Sequence, residues 1–258
     1  MITVCIMSYR YGHLIAQAIE SILSQTQLPS HVVIVDDGVG DVAPVAQKYI
    51  ADFRQLGIET IMVDRERNLG IVDNFNDILI NSVHTPRVIF LGADNYLRPD
   101  ALEILSKVKA DIVSYDIALF GAEAVKFAAV AGATEVKDGY HIWRFSKGDI
   151  NLENYIHGSS LYNAEIAKRY GYKASGNFLY SEEDWMLFRA MLAGGASHVH
   201  VPEPLLFYRR HKMNFYPIRG GGVMWRRPIA LVLDAVKSFL SCKSGHGVDR
   251  SGCDGQAT

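Results

Sequence analysis

Cysteine is scarce in this chain: only Cys5, Cys242 and Cys253 occur, an odd number at wide spacing. That excludes a disulfide framework and a cysteine metal cluster, and it points to a reducing compartment. An excess of basic charge is also missing. The formal net charge is -2, so no global field draws the protein to nucleic acid, and none is expected as a partner. No apolar run approaches the ~20 residues that cross a bilayer. The opening Met1-Ile2-Thr3-Val4-Cys5-Ile6-Met7 carries neither a basic leader nor a small-residue cleavage site. It reads as a strand rather than a signal peptide. Internal repeats are absent. Together these absences lead to the expectation of a cytoplasmic chain.

What is present is apolar material in a regular rhythm. With 258 residues and 49% hydrophobic content, the chain can bury one α/β core with insertions. Apolar runs at 2–7, 31–36, 58–63, 87–91 and 111–119 read as strands. Ile15, Ile19 and Ile22 recur at helical spacing within 13–25. A second helix passes through Ala46, Tyr49, Ile50 and Phe53 and ends before Gly57. A third covers 72–82. Pro99 opens a fourth through Leu102, Leu105 and Val108, as suits a first-turn proline. This alternation predicts a mainly parallel sheet with helices on both faces. The rhythm fails after 120. Residues 121–150 read as a surface excursion with one strand-like stretch at 140–145. Helices are expected at 164–170 and 182–193, strands at 197–201 and 204–209, and a last helix at 223–241. Residues 242–258, rich in Gly, Ser and Asp, read as a disordered tail.

Four polar clusters follow strands: Ser8-Tyr9-Arg10, Asp36-Asp37-Gly38, Asn68-Leu69-Gly70 with Asn74 and Asn76, and Gly92-Ala93-Asp94-Asn95. In a parallel sheet these strand ends share one edge, where open α/β folds bind ligands. Two adjacent carboxylates at a strand end repel unless something binds or screens them. Carboxylates, amides and a tyrosine ring suit a nucleotide whose diphosphate is held through magnesium or manganese, which prefer oxygen ligands. Structural readings stand beside these. Asp36 can cap the following turn, and Glu182, Glu183 and Asp184 complement a helix dipole. Asn74 and Asn76 lie two apart on a helix, so at most one faces a ligand.

The order of these motifs resembles family 2 glycosyltransferases of the GT-A type. Thr3 to Tyr9, Ile19 to Thr26, Val35 to Gly38, Asn68 to Gly70, Phe90 to Asn95, Gly158-Ser159-Ser160, Ser181 to Trp185 and Tyr208-Arg209-Arg210-His211 carry the likeness, over roughly residues 2–212. It implies a GT-A-like, Rossmann-like α/β domain over residues 1–222. The activity it implies is inverting transfer of a sugar from a nucleotide-diphosphate donor to a glycan or lipid-linked acceptor. A UDP-sugar is the expected donor, with dTDP-rhamnose as the alternative. The likeness also assigns roles. Ser8 and Tyr9 border the base, Asp37 bonds the pyrimidine, and Asp36 supports the turn or the ribose. Asn68 and Asn76 join the nucleotide site. Asp94 takes the metal position, and His211 completes metal or diphosphate binding. Asp184 is the general base with Glu183 beside it. Gly158, Ser159 and Trp185 lie toward the acceptor or the donor sugar. Gly92 and Asn95 stand where the family's motif often has aspartates, so Asp94 is left as the one carboxylate there.

The stretch 121–150 then becomes an acceptor-side element. The helix 223–241, with Trp225, Arg226 and Arg227 at its start, reads as an interfacial contact with the inner face of a membrane or with a second subunit in a homodimer. The competing reading of the whole chain is a non-catalytic nucleotide-sugar binder or partner subunit.

Overall fold

The computed structural model describes residues 1–145, 148–174, 182–212 and 214. The helix expected at 223–241 and the tail at 242–258 lie outside the described residues.

A ten-stranded mixed sheet organises the chain. β1 (Ile2–Ser8), β2 (His31–Asp36), β3 (Glu59–Asp64) and β4 (Arg87–Gly92) run parallel in the spatial order β3-β2-β1-β4. Every residue of β1 is buried, as a central strand covered on both faces must be. Its side chains alternate between two cores. Val4 and Ile6 join α1 (Ile15–Leu23), Phe53 of α3 (Ile50–Gln55) and Leu102 of α5 (Ala101–Lys107) on one face. Cys5 and Met7 join Ile78 of α4 (Ile71–Asn81), and through it the helices that follow, on the other. Between β2 and α3 the chain makes short turns, α2 (Ala43–Ala46) and a 3₁₀ segment (Gln47–Tyr49), in place of one continuous helix.

Beyond β4 the sheet continues through β9 (Leu161–Asn163), β6 (Ile112–Phe120), β10 (His198–Arg209) and β5 (Tyr96–Leu97). β9 is antiparallel to both β4 and β6, and β10 is parallel to β6. Hence β6 and β10 point the same way as β1, while the chain enters β9 from the opposite side. Asn163 then caps α7 (Ala164–Tyr170) by accepting from Glu165 N at 3.1 Å and Ile166 N at 3.2 Å. α8 (Glu183–Ala193) buries Leu187, Phe188 and Met191 against the second core.

Two further expectations need correction, and two strands were not foreseen. Residues 121–150 are not only a surface excursion. α6 (Ala124–Ala131) and the hairpin β7 (Glu135–Lys137) and β8 (Tyr140–Trp143) pack Phe127, Trp143 and Phe145 into the first core. The strands expected at 197–201 and 204–209 are one strand, β10, whose register against β6 shifts around Pro204, because proline cannot donate to a ladder. β5 and β9 are too short to carry a periodic signal.

Candidate functional site

The parallel strands bring their carboxyl ends to one rim, where Ser8 pairs with Asp36 and Met7 with Gly92. The two acid-bearing turns flank the end of β1. The Asp37 N–H donates to Ser8 O at 2.9 Å, and the Ala93 N–H donates to Met7 O at 2.9 Å. β10 ends at the same rim, because Arg209 N donates to Asn95 Oδ1 at 2.9 Å and Arg209 Nε to Asp94 O at 3.0 Å.

On the β2 side, Asp36 is taken up by the turn it starts. Its Oδ1 accepts from Val39 N at 2.8 Å and its Oδ2 from Val42 N at 3.0 Å. Asp37 is buried and accepts from Leu69 N at 2.9 Å, which ties the 65–70 loop to β2. Arg65 stands 3.9 Å from the same carboxylate and donates to Asn74 Oδ1 at 2.9 Å and Asp77 Oδ2 at 2.6 Å. Asn68 closes a local turn onto Gly70 N at 2.5 Å. Ser8 is buried, and its Oγ has no hydrogen-bond partner among the described residues. Tyr9 is 41% exposed, with the Arg10 guanidinium 4.9 Å from its ring centre. A buried hydroxyl and carboxylate beside an open aromatic face form a ledge on which a planar base can stack.

On the β4 side, Asp94 is only 7% exposed. Its Oδ2 lies 3.2 Å from His211 Nε2 and accepts from Asn214 Nδ2 at 3.1 Å. Asn214 in turn accepts from His211 N at 2.6 Å. Burial raises the Asp94 pKa, and His211 opposes that rise. The neighbouring Tyr11 phenol is pushed up to about 12 by burial and then by the Asp94 charge. Among the described residues no group of three His, Cys, Asp or Glu could hold a metal. The residues present fit a cation held by Asp94 and His211 with the remaining positions filled by diphosphate oxygens and water, which is how magnesium and manganese are commonly bound.

The third part of the site is the start of α8, where the chain turns at Glu182 in a left-handed conformation, φ 45°. Asp184 is buried, and desolvation followed by repulsion from Glu183 pushes its pKa up to about 8. Asp184 Oδ1 accepts from Trp185 N at 2.7 Å and from Asn154 Nδ2 at 3.4 Å. Gly158 covers the other side of the carboxyl: a Cβ there would stand 3.2 Å from Oδ2. Because β9 runs opposite to its neighbours, the 157–160 turn that precedes it reaches back to the rim. Tyr115 OH donates to Ser159 O and holds the turn there. His157 in the same turn is buried, bonds Tyr115 O through Nε2 at 3.0 Å, and is pushed down to about 3 by burial. It is a neutral packing residue. Tyr208 on β10 links the two halves: the charges of Asp94 and Asp184 both act to raise its pKa.

Asp37, Asp94 and His211 therefore lie at the carboxyl ends of β1, β2, β4 and β10. Asp184, Glu183, Gly158 and Ser159 gather where the turn before β9 meets the start of α8, and Tyr208 feels the charge of both groups. Asn76 does not belong with them. Its amide donates to Tyr172 O at 2.9 Å and accepts from Tyr172 N at 2.7 Å, so both its ends brace α4 against the segment after α7. Trp185 is likewise a brace, donating through Nε1 to Ile150 O at 2.6 Å. Sequence reasoning missed Arg65, Asn154 and Asn214. Arg65 had a signal, as the first cation past the end of a strand with a second, Arg67, two residues on. Nothing in the sequence around Asn154 or Asn214 marks them.

No curated protein sequence matches the chain. Among solved structures it is similar to S. aureus TarS 1–349 in complex with UDP, at 16% identity and TM-score 0.58, covering 83% of this chain and 62% of that one. It is similar to the same protein in complex with UDP-GlcNAc at 14% identity and TM-score 0.56, covering 81% and 58%. The mannosyltransferase PcManGT from Pyrobaculum calidifontis, in complex with GDP-Man and Mn2+, matches at 14% identity and TM-score 0.56, covering 83% and 58%. These are likenesses of fold, and the chain spans about three fifths of the length of these structures. The model of one family, glycosyl transferase family 2, matches residues 3–171, well over half of the 258 residues, and on that match the chain belongs to glycosyl transferase family 2.

Proposed function

We propose that the chain is an inverting glycosyltransferase that takes its sugar from a pyrimidine nucleoside diphosphate, with UDP favoured and dTDP as the alternative, and passes it to a hydroxyl of a glycan or lipid-linked glycan. The supporting observation is the pairing of a buried carboxylate poised near neutrality, Asp184, with a second acid, Asp94, whose charge reaches the same tyrosine. A base needs a pKa near the working pH, and burial in a cleft beside a like charge supplies that.

In this reading Tyr9 stacks on the base, Ser8 and Asp37 bond its edge, and Asp94 with His211 holds the diphosphate end. A divalent cation bound there supplies Lewis-acid stabilisation of the negative charge that gathers on the leaving diphosphate. Asp184 takes the proton of the acceptor hydroxyl. The acceptor oxygen forms its bond to the anomeric carbon as the bond to the diphosphate oxygen breaks, and the electron pair leaves with the diphosphate. Attack from the face opposite the leaving group inverts the centre.

The test is a thermal-shift panel of UDP, dTDP and GDP with and without manganese, followed by release of nucleotide from the matching sugar donors. Stabilisation by a pyrimidine diphosphate and loss of turnover in Asp184→Asn support the reading. Equal response to all three nucleotides, or full turnover in that variant, removes it. For residues 223–241 the basic and aromatic pattern of the sequence supports contact with an anionic membrane surface. Co-sedimentation with phosphatidylglycerol vesicles that survives deletion of this segment removes that part.

A further inference from the structure

The two oxygens of Asp184 are held differently. Oδ1 receives the Trp185 N–H at 2.7 Å and the Asn154 amide at 3.4 Å. Oδ2 faces Gly158, which carries no Cβ to press on it; one there would stand 3.2 Å away. Asn154 is itself buried, and its orientation is set, because its Oδ1 accepts from Ile156 N at 3.2 Å. The NH2 end must therefore point at the carboxyl. An isolated amide could turn either way; this one cannot without orphaning a buried N–H.

We propose that Asn154 is a positioning residue for the general base: it holds Oδ1 of Asp184 so that Oδ2, across from Gly158, is the oxygen that accepts the acceptor's proton. This rests on the reading of Asp184 as the base. A donor on a carboxylate favours its ionised form, so the amide also draws the group's ionisation down against the forces that raise it. Those are burial and the Glu183 charge on α8. Tyr172 after α7 and Tyr208 on β10 also stand near, but their own ionisation is pushed up, in part by the Asp184 charge, so they remain neutral phenols while Asp184 titrates. The Trp185 N–H acts in the same direction as Asn154 but belongs to the helix start and is present in any variant that folds.

The experiment follows the side-chain carboxyl carbon of Asp184 by NMR in the full chain labelled with 13C-aspartate, its resonance assigned by its loss in Asp184→Asn. Wild type is compared with the near-isosteric Asn154→Leu, and with Asn154→Ser should the leucine variant not fold. The midpoint of the Asp184 titration is expected to rise by about half a pH unit or more on loss of the amide, and Asn154→Gln to recover part of the shift. An unchanged midpoint in a folded variant overturns the proposal whatever the enzyme does. Turnover of Asp184→Asn is read separately: full activity there fails the base assignment, while a shifted midpoint would still report the Asn154 contact.

Discussion

Gly92 lies so close under the Asp94 turn that a Cβ on it would meet Asn95 Nδ2 at 2.8 Å and Asp94 Oδ1 at 2.9 Å. An aspartate at this position would crowd the very carboxylate that we propose for the diphosphate end. Asn95 is not a spare ligand either: its Oδ1 accepts from Arg209 N. So the two departures from the family's acidic motif have structural reasons, and the neighbour that Asp94 has instead is His211. Gly92→Ala is expected to displace both side chains and to weaken manganese-dependent nucleotide binding by about tenfold, as isothermal titration would measure. Asp94→Ala should abolish the difference between titrations with and without manganese. At Asp184 the sign of the pH effect is set by a pKa raised to about 8. The base is active when ionised, so turnover should climb with pH through about 8 and level above it. Asp184→Asn should lower the plateau by ~10²–10⁴-fold, with donor affinity little changed. Protonation also links to stability. The folded chain keeps a proton on Asp184 that the unfolded chain releases near pH 4, so stability is lost as pH rises toward 8. Asp184→Asn should therefore melt higher than wild type at pH 8 and lose most of that advantage by pH 5 and all of it below about pH 4, a difference that calorimetry across this pH range would detect.

The elements that carry the site are held by side chains the activity never uses. α4 is tied to the segment after α7 by the two-ended Asn76–Tyr172 pairing, and the Tyr172 ring packs edge-on to Phe75 and Phe90, at 5.2 and 5.8 Å. Its hydroxyl meets Tyr162 OH at 2.5 Å. Because these contacts leave two buried backbone groups unpaired when Asn76 is shortened, Asn76→Ala should cost about 1–3 kcal/mol in urea denaturation. Nucleotide affinity should stay within twofold, since its amide faces Tyr172 and not the rim. This is where reading from sequence went astray: an asparagine near a polar cluster looks like a ligand, but spacing cannot tell which of Asn74 and Asn76 faces which neighbour. The bulge near Pro204 was equally hidden, since a proline between two apolar runs reads as a break. In the fold it only shifts the register of one long strand that delivers Arg209 and His211 to Asp94.

For the molecule as a whole, a site assembled from strand ends far apart in sequence should respond cooperatively to its ligands. UDP with manganese is expected to raise the melting temperature by more than the sum of the two added singly, because each would hold a different side of the end of β1; additive shifts would mean that the two sides do not share a ligand. Much of this architecture was legible beforehand. The alternation of apolar runs and helical periodicity set the parallel β3-β2-β1-β4 half, since a strand buried on both faces has to be continuously apolar and the polar residues then fall at its end. That local rule by itself put Asp36, Asp37, Asp94 and Ser8 on one rim. Three things waited for the tertiary structure: the packing of α6 and the β7–β8 hairpin, the antiparallel entry of β9, and the contacts that separate Asp36 and Asn76 from Asp37 and Asp184. Each depends on which distant segment arrives opposite a given side chain. Residue type and spacing determine what a group can donate or accept; only the packed fold decides whether the partner is a backbone amide, another side chain or a substrate.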